Sequence, residues 1–126
     1  MIPWEKDYLV GVVGPCAAGK TTLIKNLIQN GISARHIAQE HSYVPDMWFR
    51  ISHPNILIYL DVSYPFTVIR RQLDWTIRDF DEENIRLRHA RQHADLYIST
   101  DELSAPEVLA QVLKFLNIYS FPSQSH

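Results

Sequence analysis

The chain has 126 residues, 46% of them hydrophobic and 21% charged, with a net charge of −2. That size predicts one domain able to bury roughly two thirds of its unfolded surface, and the charge argues against bulk attraction to nucleic acid or an anionic membrane. The single cysteine, Cys16, excludes an intramolecular disulfide.

No apolar run approaches the ~18–20 residues of a membrane helix. Leu9 to Ala18 is apolar, but "MIPWEKDY" before it carries Glu5, Lys6 and Asp7 instead of the positive cluster of a signal peptide. The expectation is a cytoplasmic protein, with residues 1–119 as the domain and 120–126 as a flexible tail.

The elements follow in order. "YLVGVV" is a short apolar, β-branched run ending at Gly14 and predicts a buried strand. "KTTLIKNLIQN" predicts a helix, because Leu23, Ile24, Leu27 and Ile28 recur at helical spacing and Asn30-Gly31 stops it. "ARHIAQEH" is a weaker strand, and "VPDMWFRIS" a short helix or turn with Pro45 suited to a first helical position. "NILIYLDVS" is the strongest strand, apolar enough to be central and buried on both faces. Two helices follow in "PFTVIRRQL" and "DFDEENIRLRHARQHA", the second with acids early and bases late, as the helix dipole favours. "DLYIST" predicts an edge strand. "SAPEVLAQVLKFLN" closes the chain as an amphipathic helix, with Ser104 and Glu107 as a capping box and Val108, Leu109, Val112, Leu113 and Leu116 as the apolar face. Strands alternating with helices predict an α/β fold, a three-layer α/β/α arrangement on a parallel sheet of about four strands.

Gly14-Pro15-Cys16-Ala17-Ala18-Gly19-Lys20-Thr21 has the form G-x-x-x-x-G-K-T. The glycines let the backbone curl so that successive N–H groups converge on phosphate oxygens, and the following helix adds its positive N-terminus. In this pattern Lys20 reaches the β- and γ-phosphates, the Thr21 hydroxyl serves Mg²⁺, and Thr22 adds a phosphate contact. Cys16 is either a small residue tolerated by the loop or a thiol activated by helix N–H groups. Such a site also needs an acid at the end of a neighbouring strand, and two compete: Asp61 ends "ILIYLD" and Glu40 ends "HIAQE". Around Glu40, "QEHSYVPDMWFR" packs Gln39, His41, Ser42, Asp46, Trp48 and Arg50 into twelve residues. It offers Glu40, His41 or Asp46 as a general base, and Tyr43 or Trp48 as a platform for an acceptor ring. Six of the eight arginines, Arg70, Arg71, Arg78, Arg86, Arg88 and Arg91, fall in one region interleaved with acids, so most are expected to form helix-surface pairs. His89 and His93 stand four apart with no evident third metal ligand.

The loop, with its strand and helix, resembles the Walker A motif of P-loop NTPases. "ILIYLDVSYPFTVIRR" resembles the strand and helix before the lid of small nucleoside and nucleotide kinases, and "ADLYISTDELSAPEVLAQVLKFL" their closing strand and helix, where a polar loop lines the base. The resemblance implies a P-loop NTPase fold and a nucleotide partner, with Gly14 to Thr22 holding ATP and with Mg²⁺ on Thr21 and a strand-end acid. It makes Asp61 mainly structural and shifts the metal or base role to Glu40, although Asp61 keeps the apolar-run-then-Asp pattern of a metal-binding strand. It gives Lys20, Glu40 and Arg70 catalytic roles, with Arg70 also spaced like the arginine that lies against adenine, and Arg71 as its neighbour in the lid region.

Two departures shape the function expected. The acceptor-binding insertion of nucleotide kinases is missing, and so is a long lid. A γ-phosphoryl transfer to a small acceptor, or a site completed by a protein partner, therefore fits better than a nucleotide-sized acceptor. The alternatives are an ATPase or GTPase switch and a non-catalytic nucleotide-binding module. No N-K-x-D or D-x-x-G of a guanine-specific switch occurs, nor the L-S-G-G-Q of a transporter ATPase.

Overall fold

The computed structural model describes residues 9–71 and 75–120, the side chains at 71 and 118–120 aside. The strands are β1 (Val10–Val13), β2 (Ala34–His36), β3 (Ile56–Asp61) and β4 (Leu96–Ser99). The helices are α1 (Lys20–Gln29), α2 (Met47–Ser52), α3 (Tyr64–Arg71), α4 (Ile77–His93) and α5 (Ala105–Ser120), with a 3-10 turn over Gln39–His41. The strands form one all-parallel sheet in the order β2-β1-β3-β4.

The two central strands are the two continuous apolar runs, as burial on both faces demands. Val10, Val12, Ile56, Ile58 and Leu60 pack with Leu23 and Leu27 of α1 and Val108, Val112 and Leu116 of α5. Val13, Leu57 and Tyr59 pack on the other side with Leu87 and Ala90 of α4 and Trp48 of α2. Helices thus cover both faces, consistent with three α/β/α layers. Register carries the strand ends to one edge: Val13 lies opposite Tyr59, and Asp61 opposite Ser99.

Local chemistry sets most boundaries. Asn30 caps α1 and Gly31 follows at φ 79, the left-handed turn that ends helices. Ser104 and Glu107 exchange bonds of 2.8 and 3.2 Å at the start of α5. Three expectations shift. α4 begins two residues before "DFDEEN", because Thr76 and Asp79 form a capping box of their own. Pro45 is not the first residue of α2: the Asp46 carbonyl accepts the first helical bonds, from Phe49 and Arg50, and the helix starts at Met47. "ARHIAQEH" is a strand only over its first three residues; the Ile37 N–H still bonds the Val12 carbonyl at 3.0 Å, and the chain then turns into the 3-10 segment. Of the expected tail 120–126, Ser120 is the last residue of α5; residues 121–126, the end of "PFTVIRRQL" at Gln72 and Leu73, and the segment before Leu9 lie outside the described residues. Among the described residues no helix is long and apolar enough to cross a membrane.

Candidate functional site

The loop between β1 and α1 is shaped by backbone that only certain residues adopt. Gly14, at φ 153, passes so close to β3 that a Cβ there would lie 2.0 Å from the Leu60 carbonyl oxygen. Ala17 sits at φ 70, which strains any residue bearing a Cβ. Gly19, at φ 95, is the N-cap of α1, and no side chain caps that helix. The first-turn N–H groups of α1 therefore lack a side-chain acceptor and carry the positive end of the helix dipole. Thr21 and Thr22 stand exposed on this first turn.

Lys20, in contrast, is buried. Its Nζ donates to the Gly14 carbonyl at 2.5 Å and the Pro15 carbonyl at 3.0 Å, and it pairs with Glu40 Oε2 at 3.0 Å. All three ammonium donors are thus engaged. The imidazoles of His36 and His41 approach the same Glu40 oxygen at 3.5 and 3.8 Å. The other oxygen, Glu40 Oε1, is buried and has no hydrogen-bond partner. Gln39 fixes this segment: it accepts the Trp48 N–H at 2.7 Å and donates to the carbonyls of Val44 and Arg86 at 2.8 and 3.2 Å. Lys20, Thr21, Thr22, Glu40, His36, His41 and Cys16 share the lining of a pocket of about 340 Å³.

Cys16 faces α4. Its N–H and Sγ–H donate to the two carboxylate oxygens of Glu83, at 3.0 and 2.9 Å. Burial, and after it the bonded Glu83 carboxylate, push the thiol up to about 11 against the opposing pull of the nearby Lys20. The thiol is protonated at neutral pH, so activation by helix N–H groups does not prevail here.

Arg70 braces the loop from the opposite side. One nitrogen donates to Ala17 O and Thr100 Oγ1, both at 3.0 Å, and the other to the carbonyls of Thr100 and Asp101, at 2.5 and 3.3 Å. It lines a second pocket of about 250 Å³ with Ala18, Leu23, Leu103 and Val108. The two pockets share Ala17, Gly19 and Thr22, so they meet across the loop. Arg71 carries no described side chain.

The structure does not bring Asp61 to Lys20. Its Oδ1 accepts the Val62 N–H at 2.9 Å, its Oδ2 takes the Tyr97 hydroxyl, and Arg91 stands 3.8 Å away. It lines a separate pocket with Arg91, Tyr97 and Asp101. Trp48 is core, donating Nε1–H to His89 Nδ1, and is not free to stack on a ligand. Tyr43 is exposed but lies under the Arg86 guanidinium. Asp46 is held by Arg50 at 2.8 Å. His89 and His93 stack on each other, with ring nitrogens committed to Trp48 and to the His89 carbonyl.

Two contributors escape the sequence motifs. Thr100 holds Arg70 from the end of β4 with no local signature. Glu83 stands four and seven residues before Leu87 and Ala90, so an acid on the apolar stripe of α4 is its only trace. In comparison with known proteins, no family model matches this chain, and no curated protein matches its sequence.

Proposed function

We propose that this chain is a P-loop NTPase of the small-kinase kind, which binds Mg²⁺·ATP and transfers the γ-phosphoryl group to a small acceptor. The observation that carries the reading is the meeting of two pockets at one loop. One pocket is lined by the buried Lys20 and the uncapped start of α1; the other is walled by the aliphatic side chains of Leu23, Leu103 and Val108. A triphosphate suits the first and a nucleoside base the second.

The residues fit a divalent cation. The Thr21 hydroxyl is exposed at the pocket, and Glu40 Oε1 is a buried carboxylate oxygen awaiting a partner. We assign the metal to Thr21 and Glu40 and give Asp61 a structural role, since both its oxygens are engaged by β3, β4 and α4. Mg²⁺ bound there would neutralise charge on the transferring phosphoryl group. Lys20 must exchange its bonds to Gly14 and Pro15 for phosphate oxygens, while Glu40 keeps its ammonium oriented. Arg70 faces the nucleoside pocket and not the phosphate side, which supports a base-positioning role.

A site completed by a protein partner is the second reading. It is favoured by Tyr43, Phe49 and Ile51, which are 81, 48 and 65% exposed beside the Glu40 segment. Calorimetry with Mg²⁺·ATP tests nucleotide binding; Lys20→Ala abolishes it, and unchanged binding would overturn the assignment. Phosphorus NMR against a panel of small hydroxyl and acid acceptors then separates transfer from acceptor-independent hydrolysis.

A further inference from the structure

We propose that Cys16, His41 and Glu83 form a site for one thiophilic divalent cation of the zinc class, beside the loop and distinct from the Thr21–Glu40 position. The three residues come from separate elements: the loop after β1, the 3-10 turn and the middle of α4. Their ligand atoms all lie within 4.8 Å of one another.

Glu83 is the second observation. It is 5% exposed, on the face of α4 that carries Leu87 and Ala90 into the core. Among the described residues no Lys, Arg or His stands within 4.0 Å of it, and the Arg86 guanidinium acts on it only from further away. A buried carboxylate with no cation in contact is costly, and an apolar side chain is the ordinary occupant of such a position. Its neighbour Cys16 supplies only an N–H and a thiol proton.

A divalent cation completes this charge balance. The thiol proton leaves to solvent and a sulfur–metal bond forms in its place. One thiolate and one carboxylate then offset the two positive charges, with His41 as a neutral donor. Zinc takes sulfur, nitrogen and oxygen at about 2.0–2.3 Å, which puts tetrahedral ligand atoms roughly 3.5 Å apart. Cys16 Sγ and Glu83 Oε2 already stand 2.9 Å apart, and His41, whose side chain is 64% exposed, has room to close the rest. Mg²⁺ does not suit this set, because it demands six oxygens and no thiolate.

The site does not depend on nucleotide binding, and the test uses none. The full chain, free of any affinity tag, is titrated with Co²⁺ and followed by absorption. Cys16 is the chain's single cysteine, so a thiolate-to-cobalt charge-transfer band reports it alone. The expected result is a band saturating at one equivalent per chain and displaced by Zn²⁺. Cys16→Ser abolishes it, and His41→Ala and Glu83→Gln each weaken the affinity more than tenfold. Absence of the band, or a band of unchanged affinity in His41→Ala and Glu83→Gln, overturns the proposal. Should Glu83→Gln fail to fold by circular dichroism, His41→Ala decides alone, since that side chain is exposed.

Discussion

Lys20 Nζ lies 3.0 Å from Glu40 Oε2, and both side chains are withdrawn from water. A buried pair of this kind is far more costly to break than to replace. Lys20→Met is therefore expected to destabilise the fold by about 3 kcal/mol, because Glu40 keeps its charge without the ammonium. The double variant Lys20→Met with Glu40→Gln recovers most of that loss in urea denaturation. Nucleotide binding does not return with it, since no cation faces the phosphates. Recovery of both together would show that Lys20 acts on binding only through stability.

Gly14 and Gly19 share a motif but not a constraint. A Cβ at Gly14 meets the Leu60 backbone oxygen at 2.0 Å, and a strand cannot give way there without breaking the sheet. Gly14→Ala is expected to cost about 3 kcal/mol or more. A Cβ at Gly19 meets nothing within 4 Å, so Gly19→Ala carries only the left-handed backbone strain, about 1–2 kcal/mol. Thermal denaturation of the two variants checks the order, and equal losses would contradict the close approach of the loop to β3.

The Ser104–Glu107 box gives stability a pH dependence at the acid end. The Ser104 backbone N–H, and then its hydroxyl, hold the Glu107 carboxyl below its ordinary value. The unfolded chain thus takes up that proton first as pH falls. The contribution is complete above the ordinary glutamate range and is lost as pH drops through the lower, folded value. Glu107→Gln is expected to flatten the acid side of the stability curve while leaving its neutral-pH shape intact, measured by urea denaturation from pH 6 downwards.

The fold was legible where local and global signals agree. "VGVV" and "ILIYLD" read as buried strands because no polar side chain interrupts them, and Ser104, Glu107, Asn30 and Gly31 announce helix ends by chemistry that needs no distant partner. The candidate site was legible only along the chain. Gly14 to Thr22 is a contiguous pattern, whereas the choice between Glu40 and Asp61 depends on tertiary placement. β2 and β3 both flank β1, and it is the 3-10 turn after β2 that folds Glu40 back onto Lys20, which nothing local encodes. Glu83 reaches Cys16 across 67 residues through the packing of α4 on the sheet, a contact that spacing cannot reveal. Trp48, read in the sequence as a platform for an acceptor ring, is instead held in the core, where α4 supplies His89 as its partner.

Arg70 separates the two halves of the proposed nucleotide site. Its guanidinium ties the Ala17 carbonyl to Thr100 and Asp101, and it lines the pocket next to Leu103 and Val108, away from Lys20 and Glu40. If that pocket takes the base, Arg70→Ala removes the wall on which the nucleoside rests and leaves the start of α1 in place. ATP affinity is then expected to fall about tenfold, close to 1.4 kcal/mol. Inorganic tripolyphosphate, which touches only the phosphate side, should bind within about twofold of its original affinity, a change of roughly 0.4 kcal/mol. Calorimetry with both ligands on both proteins gives the answer. An equal loss for the two would place Arg70 on the phosphates and remove the base from the second pocket.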